Sequence, residues 1–159
     1  MTAKQKLGPL QREWIRCLRS VEFQQGQNWL VSWDVDDAPK PGFPLLHCCL
    51  GVACCVAEAN GVQLNWFTEP EDTAETYTIQ DSTGSESNQE LPRKVMGALK
   101  FHSKIGRFLS CPHQNKTNTL LVGGHSCVSL ANANDQGCTF EEIADFVEDH
   151  PEEVFSGPA

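Results

Sequence analysis

The chain contains no apolar run of the roughly 18 to 20 residues that a membrane-spanning helix needs, so nothing in it reads as a membrane segment. Behind its first lysines, the stretch Met1-Thr2-Ala3-Lys4-Gln5-Lys6-Leu7-Gly8-Pro9 carries no apolar signal core. A cytoplasmic location is therefore expected. There is no glycine-rich phosphate loop of the Walker or dinucleotide kind, and Gly124-His125-Ser126-Cys127-Val128 lacks the second glycine of a nucleophile elbow. No solenoid period repeats along the chain. Charge of one sign is missing in long blocks: no Asp or Glu between Leu91 and Asn118, no Lys or Arg after Lys116, and none between Thr68 and Glu90.

What is present fits one domain spanning 1–159. A length of 159 residues suffices to bury a core without obligatory staples, and 40% apolar residues with four tryptophans exclude wholesale disorder. Eight cysteines read as buried free thiols, because neighbouring cysteines on one helix cannot easily bridge and the expected compartment is reducing. A net charge of -9 opposes binding to nucleic acid or anionic membrane over the whole surface. The layout says more. Arg93, Lys94, Lys100, Lys104, Arg107 and Lys116 form a basic segment, and Asp135 to Glu153 forms an acidic one. The two can neutralise each other inside the fold, which is the default, or meet partners of opposite sign. Residues 68–90 form an acidic insert, polar enough from Asp81 to Gln89 to be partly mobile.

The organising stretch is Leu46 to Ala57, which holds four of the cysteines. On a helical projection Cys48, Val52 and Cys55 make one stripe, flanked by Cys49, Ala53 and Val56, while His47, Gly51, Cys54 and Glu58 make a more polar edge. Such a helix belongs at the centre of a domain, with Gly51 allowing close approach of a neighbouring backbone. Pro9 opens an N-terminal helix with Leu10, Trp14, Cys17 and Leu18 on its buried stripe. Residues 28–33 read as a strand, with Trp29, Val31 and Trp33 on one face. Residues 62–66 and 76–79 read as a first hairpin, and 107–109 with 119–122 as a second, closed by Gly123-Gly124. A short helix follows Leu91-Pro92, and a helix over 129–135 precedes one that begins with a Thr139/Glu142 capping box and is stopped by Pro151. The expected fold is thus α+β: a central cysteine-rich helix, an N-terminal helix, two short hairpins and a C-terminal helix pair.

For chemistry, the central cysteines are poorly placed, since helical spacing sends their sulfurs to different faces. Cys111, His113, His125 and Cys127 could present four tetrahedral ligands from two extended segments, but the spacing is not that of a standard finger, and no metal or cofactor is expected. The acidic residues of the last helix read as its solvent face, not as catalytic carboxylates. A helix-turn-helix reading of 130–149 would drive an acidic helix toward phosphates, so no direct DNA binding is expected. No catalytic residue emerges. The alternatives are a zinc-stabilised or structural interaction module and, further off, a thiol enzyme using Cys111 or Cys127.

Three blocks carry a resemblance. Trp14-x-x-x-Leu18-Arg19-Ser20 with Gln25-Gly26, then Cys48-Cys49-Leu50-Gly51-Val52-x-Cys54, then Leu130-Ala131-x-x-Asn134-Asp135-x-Gly137-x-Thr139-Phe140-x-x-Ile143-Ala144-Asp145 resemble a widespread set of small phage and prophage proteins of unassigned function. The resemblance implies an accessory protein that acts in the host cytoplasm during infection by occupying something, as in counter-defence. One version inhibits a host defence protein through acidic helices. The other sequesters a nucleotide-like signal, with Arg93, Lys94, Lys100, Lys104 or Arg107 meeting phosphates and Trp29 or Trp33 stacking a base. Asn134 and Asp135 complete the candidate binding set, and a symmetric homodimer is the default assembly.

Overall fold

Pro9 stands in the first turn of α1 (Pro9–Arg19), where a helix has no use for its missing N–H. Trp14, Ile15, Cys17 and Leu18 then point into the core of the computed structural model, which describes residues 4–34, 45–70, 74–111 and 118–159. Gln11 is fully buried on the same helix and ties three segments together: its Oε1 accepts from the Gly8 N–H at 2.8 Å, and its Nε2 donates to the carbonyls of Leu99 at 2.9 Å and Gly157 at 2.7 Å. The start of α1, the residue Leu99 and the segment at Gly157 meet there.

The cysteine-rich stretch forms α2 (Cys49–Ala59), and it is central: α1, α3, α4 and β3 pack around it. Cys48 is its N-cap, with Sγ accepting from the Gly51 N–H at 3.4 Å. Gly51 does what the sequence suggests, since a Cβ there would overlap the Leu30 carbonyl. The polar edge differs from expectation at two places. His47 lies before the helix, in a strand, and Cys54 is fully buried; the half-buried sulfur of this helix belongs to Cys55. A helix enclosed on nearly every side leaves no room for an edge defined by a weakly polar thiol.

One sheet has the order β1-β3-β2-β5-β4, with β6 also on β5. Its strands are β1 (Gln24–Gln25), β2 (Val31–Asp34), β3 (Leu46–His47), β4 (Leu64–Pro70), β5 (Ala74–Asp81) and β6 (Glu86–Ser87). Only β1 and β3 run parallel. The first predicted hairpin is thus β4 with β5, built into a larger sheet. Trp29 precedes β2 and does not continue it. The expected strand over 107–109 is not part of the second hairpin, which is β7 (Leu120–Val122) paired with β8 (His125–Cys127). Gly123 and Gly124, at φ of 55° and 82°, form the two-residue turn that reverses the chain there. Arg107 instead bridges Ser129, and the Phe108 N–H donates to the Val128 carbonyl at 3.0 Å.

The remaining helices are α3 (Arg93–Leu99), α4 (Leu130–Asp135), α5 (Phe140–Asp149) and a single turn, α6 (Pro151–Val154). The capping box is present at α5: Thr139 Oγ1 accepts from the Glu142 N–H at 3.2 Å, and Glu142 Oε2 accepts from the Thr139 N–H at 2.8 Å. Pro151 ends α5 and opens α6, its usual place at a first helical position. Among the described residues, no helix is long and apolar enough to cross a membrane.

Candidate binding surface

The third sequence block builds a buried polar junction. Asn134, fully buried on α4, donates from Nδ2 to the Gly26 carbonyl at 2.7 Å. Its Oδ1 accepts from the Cys49 N–H at 3.1 Å and from Gln25 Nε2 at 3.0 Å. Gln25 reaches on to the Cys138 carbonyl at 2.7 Å and accepts from the Phe140 N–H at 3.1 Å. Asp135, exposed, accepts from the Asn28 N–H at 2.8 Å, which holds a non-glycine residue at a φ of 70°. One cluster thereby joins the 25–28 turn, the start of α2 and the start of α5. The hydrogen bonds of Asn134 are turned inward, so the residue organises the fold and has no exposed group for a ligand.

Among the described residues, no ion pair joins the basic segment to the acidic one. The acidic face of α5 is met by α1: the Arg19 guanidinium lies 3.4 Å from Glu141, 2.5 Å from Asp145 and 2.8 Å from Glu148. Those hydrogen bonds to Glu148 and Asp145 push the Arg19 pKa up. Lys4 adds a contact to Asp149 at 3.4 Å. The described basic residues of the 93–107 segment are placed differently. Arg93, Lys94, Lys100 and Lys104 are exposed and Arg107 is half-buried, and none forms an ion pair with a described residue. Three of them start from neighbouring backbone. Arg93 and Lys94 open α3, and the Lys104 carbonyl accepts from the Leu91 N–H at 2.8 Å, two residues before Arg93. Lys116 lies outside the described residues.

Asp81 holds this surface in place, a role the sequence did not advertise. It is 2% exposed. Its Oδ1 accepts from the Thr83 N–H at 2.8 Å, the Thr83 hydroxyl at 2.6 Å and the Ser85 N–H at 3.2 Å, while Oδ2 accepts from the Lys94 N–H at 2.7 Å. Burial alone would raise its pKa, but those donors outweigh it and hold the carboxyl below its ordinary value. The one sequence signal for this was an Asp two residues before Thr83 at a polar turn. Residues 81–87 of the acidic insert thus form a hydrogen-bonded turn and β6, docked on β5 and on the start of α3.

The aromatic candidates separate. Trp29 is half-buried, whereas Trp33 is 4% exposed and packs on Tyr77 with centroids 5.0 Å apart, so its ring faces are covered. Tyr77 in turn meets Trp66 at 5.6 Å, and Trp66 Nε1 donates to Glu58 at 3.0 Å. Trp33, Tyr77 and Trp66 form a ladder across β2, β5 and β4 that links the sheet to the end of α2.

Every cysteine is a free thiol, and all but Cys55 are buried. Burial pushes Cys48, Cys55 and Cys127 up to about 12 and raises Cys49 and Cys54 strongly as well. Thiolates are therefore scarce in the folded protein. Cys127 and Cys138 are adjacent, with Cys138 Sγ donating to the Val122 carbonyl at 3.1 Å. Of the four-ligand metal candidate, Cys111 and Cys127 are buried and His125 is exposed on β8, while His113 lies outside the described residues. Among the described residues, no three His, Cys, Asp or Glu side chains converge as a metal set. His47 is buried against Phe23, and desolvation lowers its pKa.

Shallow grooves lie at two places among the described residues. One of about 460 Å³ lies where α2 turns into β4, beside Glu58, Gln63 and Ser82. The other, about 230 Å³, lies between the β7–β8 turn and α5, beside Leu121, Glu142 and Asp149. Neither of these two grooves is lined by Lys or Arg.

Fold and surface together define a compact α+β domain with an enclosed, thiol-rich central helix and, around α3, exposed basic side chains that form no ion pair with a described residue. Residues 8–151 match the profile of a domain of unknown function, DUF8296, and the chain belongs to that family. Comparison with curated proteins gives no match, and comparison with solved structures gives none.

Proposed function

We propose that this protein acts by binding, without catalysis, and that its ligand is an anionic, nucleotide-like molecule met by Arg93, Lys94 and Lys104, with Lys100 and Arg107 at the margins. The carrying observation is the asymmetry of charge pairing: the acidic face of α5 is answered by Arg19, while the exposed cations around α3 have no carboxylate partner among the described residues. Cations left unpaired on a protein of net charge -9 create a local positive field where phosphates are attracted. The suppressed thiolates support a role without nucleophilic chemistry. Of the two aromatic candidates, Trp29 keeps an accessible part for stacking. In the phage setting that the sequence resemblance implies, such binding is sequestration of a signal, which is a counter-defence role. The inhibitory version, in which acidic helices face a host protein, is less favoured because Arg19 already occupies three of the carboxylates.

The test begins with mass spectrometry of small molecules released from protein purified out of infected cells, followed by calorimetric titration with ADP and with a cyclic dinucleotide. Neutralising Arg93, Lys94 and Lys104 to Gln together should abolish binding and flatten its salt dependence, whereas reversing Glu141, Glu148 and Asp149 should leave it intact. Binding lost with the acidic set and retained with the basic set overturns the assignment.

A further inference from the structure

β4 closes one side of the six-stranded sheet, and among the described residues no segment pairs with its outer edge. Which backbone groups line that edge follows from the register. The Asp81 N–H donates to the Ser85 carbonyl at 3.0 Å and the Asp81 carbonyl accepts from the Gly84 N–H, so Asp81 turns both backbone groups away from β4. Leu64 pairs with Asp81, and the ladder runs without a bulge through Asn65 with Gln80, Trp66 with Ile79, Phe67 with Thr78 and Thr68 with Tyr77. Antiparallel pairs alternate, so Asn65 and Phe67 bond to β5, while Leu64, Trp66 and Thr68 direct N–H and C=O outward.

The usual protection of an edge is confined to one end of this strand, where β4 finishes in Glu69 and Pro70. From Leu64 to Thr68 there is no Lys, no Pro and no charged residue, and three of the five residues are apolar. Phe67 is 48% exposed, and it is the one large apolar side chain so exposed on the six-stranded sheet among the described residues.

We propose that the outer edge of β4 is a self-association edge, where two copies of the chain pair β4 with β4 antiparallel about a two-fold axis at Phe67. That register sets Trp66 of each copy against Thr68 of the other, two residues whose backbone groups both point outward, so both exchange full hydrogen-bond pairs. Phe67 meets its own copy at the close, non-hydrogen-bonded position, where facing side chains approach most nearly. Leu64 donates to the carbonyl of Pro70, while the Leu64 carbonyl receives no donor in return because proline has no N–H, so the pairing frays at each end of the contact. A second copy is favoured over an extended peptide because the exposed phenylalanine is centred on the strand, where a two-fold axis buries it against itself. A contact of one strand pair falls well below the roughly 800 Å² per partner of a standard interface, so the dimer is weak and concentration-dependent.

Sedimentation velocity on the full chain from about 10 µM to about 1 mM should show the mass rising toward that of a dimer, the range in which weak interfaces saturate. Thr68→Pro removes an outward donor without touching the β5 ladder, and Phe67→Lys places charge on the axis. Both should stay monomeric throughout with an unchanged melting temperature. Amide exchange in the wild-type protein gives a readout that needs no variant: Trp66 and Thr68 should gain protection as concentration rises, while Asn65 and Phe67 are protected throughout. A wild-type protein that stays monomeric to 1 mM overturns the proposal, including one whose edge binds only an added extended peptide. So does a dimer that survives Thr68→Pro, or Trp66 and Thr68 amides indifferent to concentration.

Discussion

Asn134→Ala should be among the most damaging single substitutions on α4, although it removes only a small polar side chain. Alanine leaves the Cys49 N–H, in the first turn of α2, and the Gly26 carbonyl without partners in a region closed to water. Gln25 Nε2 keeps its bond to the Cys138 carbonyl, so it is not orphaned. Two buried unsatisfied groups at about 1–3 kcal/mol each predict a loss of about 2 to 6 kcal/mol. For a chain of this length that corresponds to a fall in melting temperature on the order of 10 °C. The assay is urea unfolding followed by tryptophan fluorescence, since Trp14 is fully buried and hydrogen-bonded to the Cys49 carbonyl at 2.9 Å, next to the lesion. Asn134→Asp is the companion variant. It keeps an acceptor for Cys49 and Gln25 but turns a carboxylate oxygen toward the Gly26 carbonyl, and should be no more stable than the alanine. A loss below about 1 kcal/mol for Asn134→Ala, within the range of ordinary surface changes, would refute the view that this residue is a structural junction.

Other outcomes follow from single contacts. Gly51→Ala should cost about 3 kcal/mol or more by the same unfolding assay, because its Cβ would overlap backbone at Leu30, which cannot rotate away; a neutral effect would mean α2 sits farther from β2 than the structure places it. Asp81 has a folded pKa held below its unfolded one, so its contribution is present above the unfolded value near 4 and is lost as pH falls through the folded value. The stability gap between wild type and Asp81→Asn should therefore be constant above roughly pH 5 and narrow below it, and a gap that widens on acidification would reverse the sign of the argument. A thiol reagent at pH 8 should label the native protein slowly and the urea-unfolded protein at all eight cysteines. Fast stoichiometric labelling of any thiol in the native state would revive a thiol-based activity.

Much of the architecture was legible because it depends on local patterns. The all-round apolar character of Cys49 to Ala57 required an enclosed helix, the spacing of Trp14, Cys17 and Leu18 oriented α1, and Thr139 with Glu142 marked the start of α5. Pairing was harder to read. The strand expected at Arg107 to Leu109 has the right residues, but Gly123 and Gly124 make a tighter reversal, and β7 closes on the segment immediately following it. The candidate site was legible only as composition: the basic residues were visible, whereas Asp81, which fixes the start of α3, lies 12 residues before Arg93 and looked like part of a polar loop.

By itself the sequence determined where helices begin, which faces they bury, that the thiols are interior, and that charge is segregated along the chain. These follow from short-range periodicity and capping, which need no knowledge of distant partners. Only the tertiary structure decided what each charge and amide meets. Arg19 lies 122 residues from Glu141 in the chain yet answers the acidic face of α5, Asn134 reaches back to Gly26 and Cys49, and among the described residues β4 has no neighbour on its outer side. Which cations remain unpaired and which strand remains unpartnered depend on how the chain closes on itself, and loop closure between distant residues leaves no periodic trace along the chain.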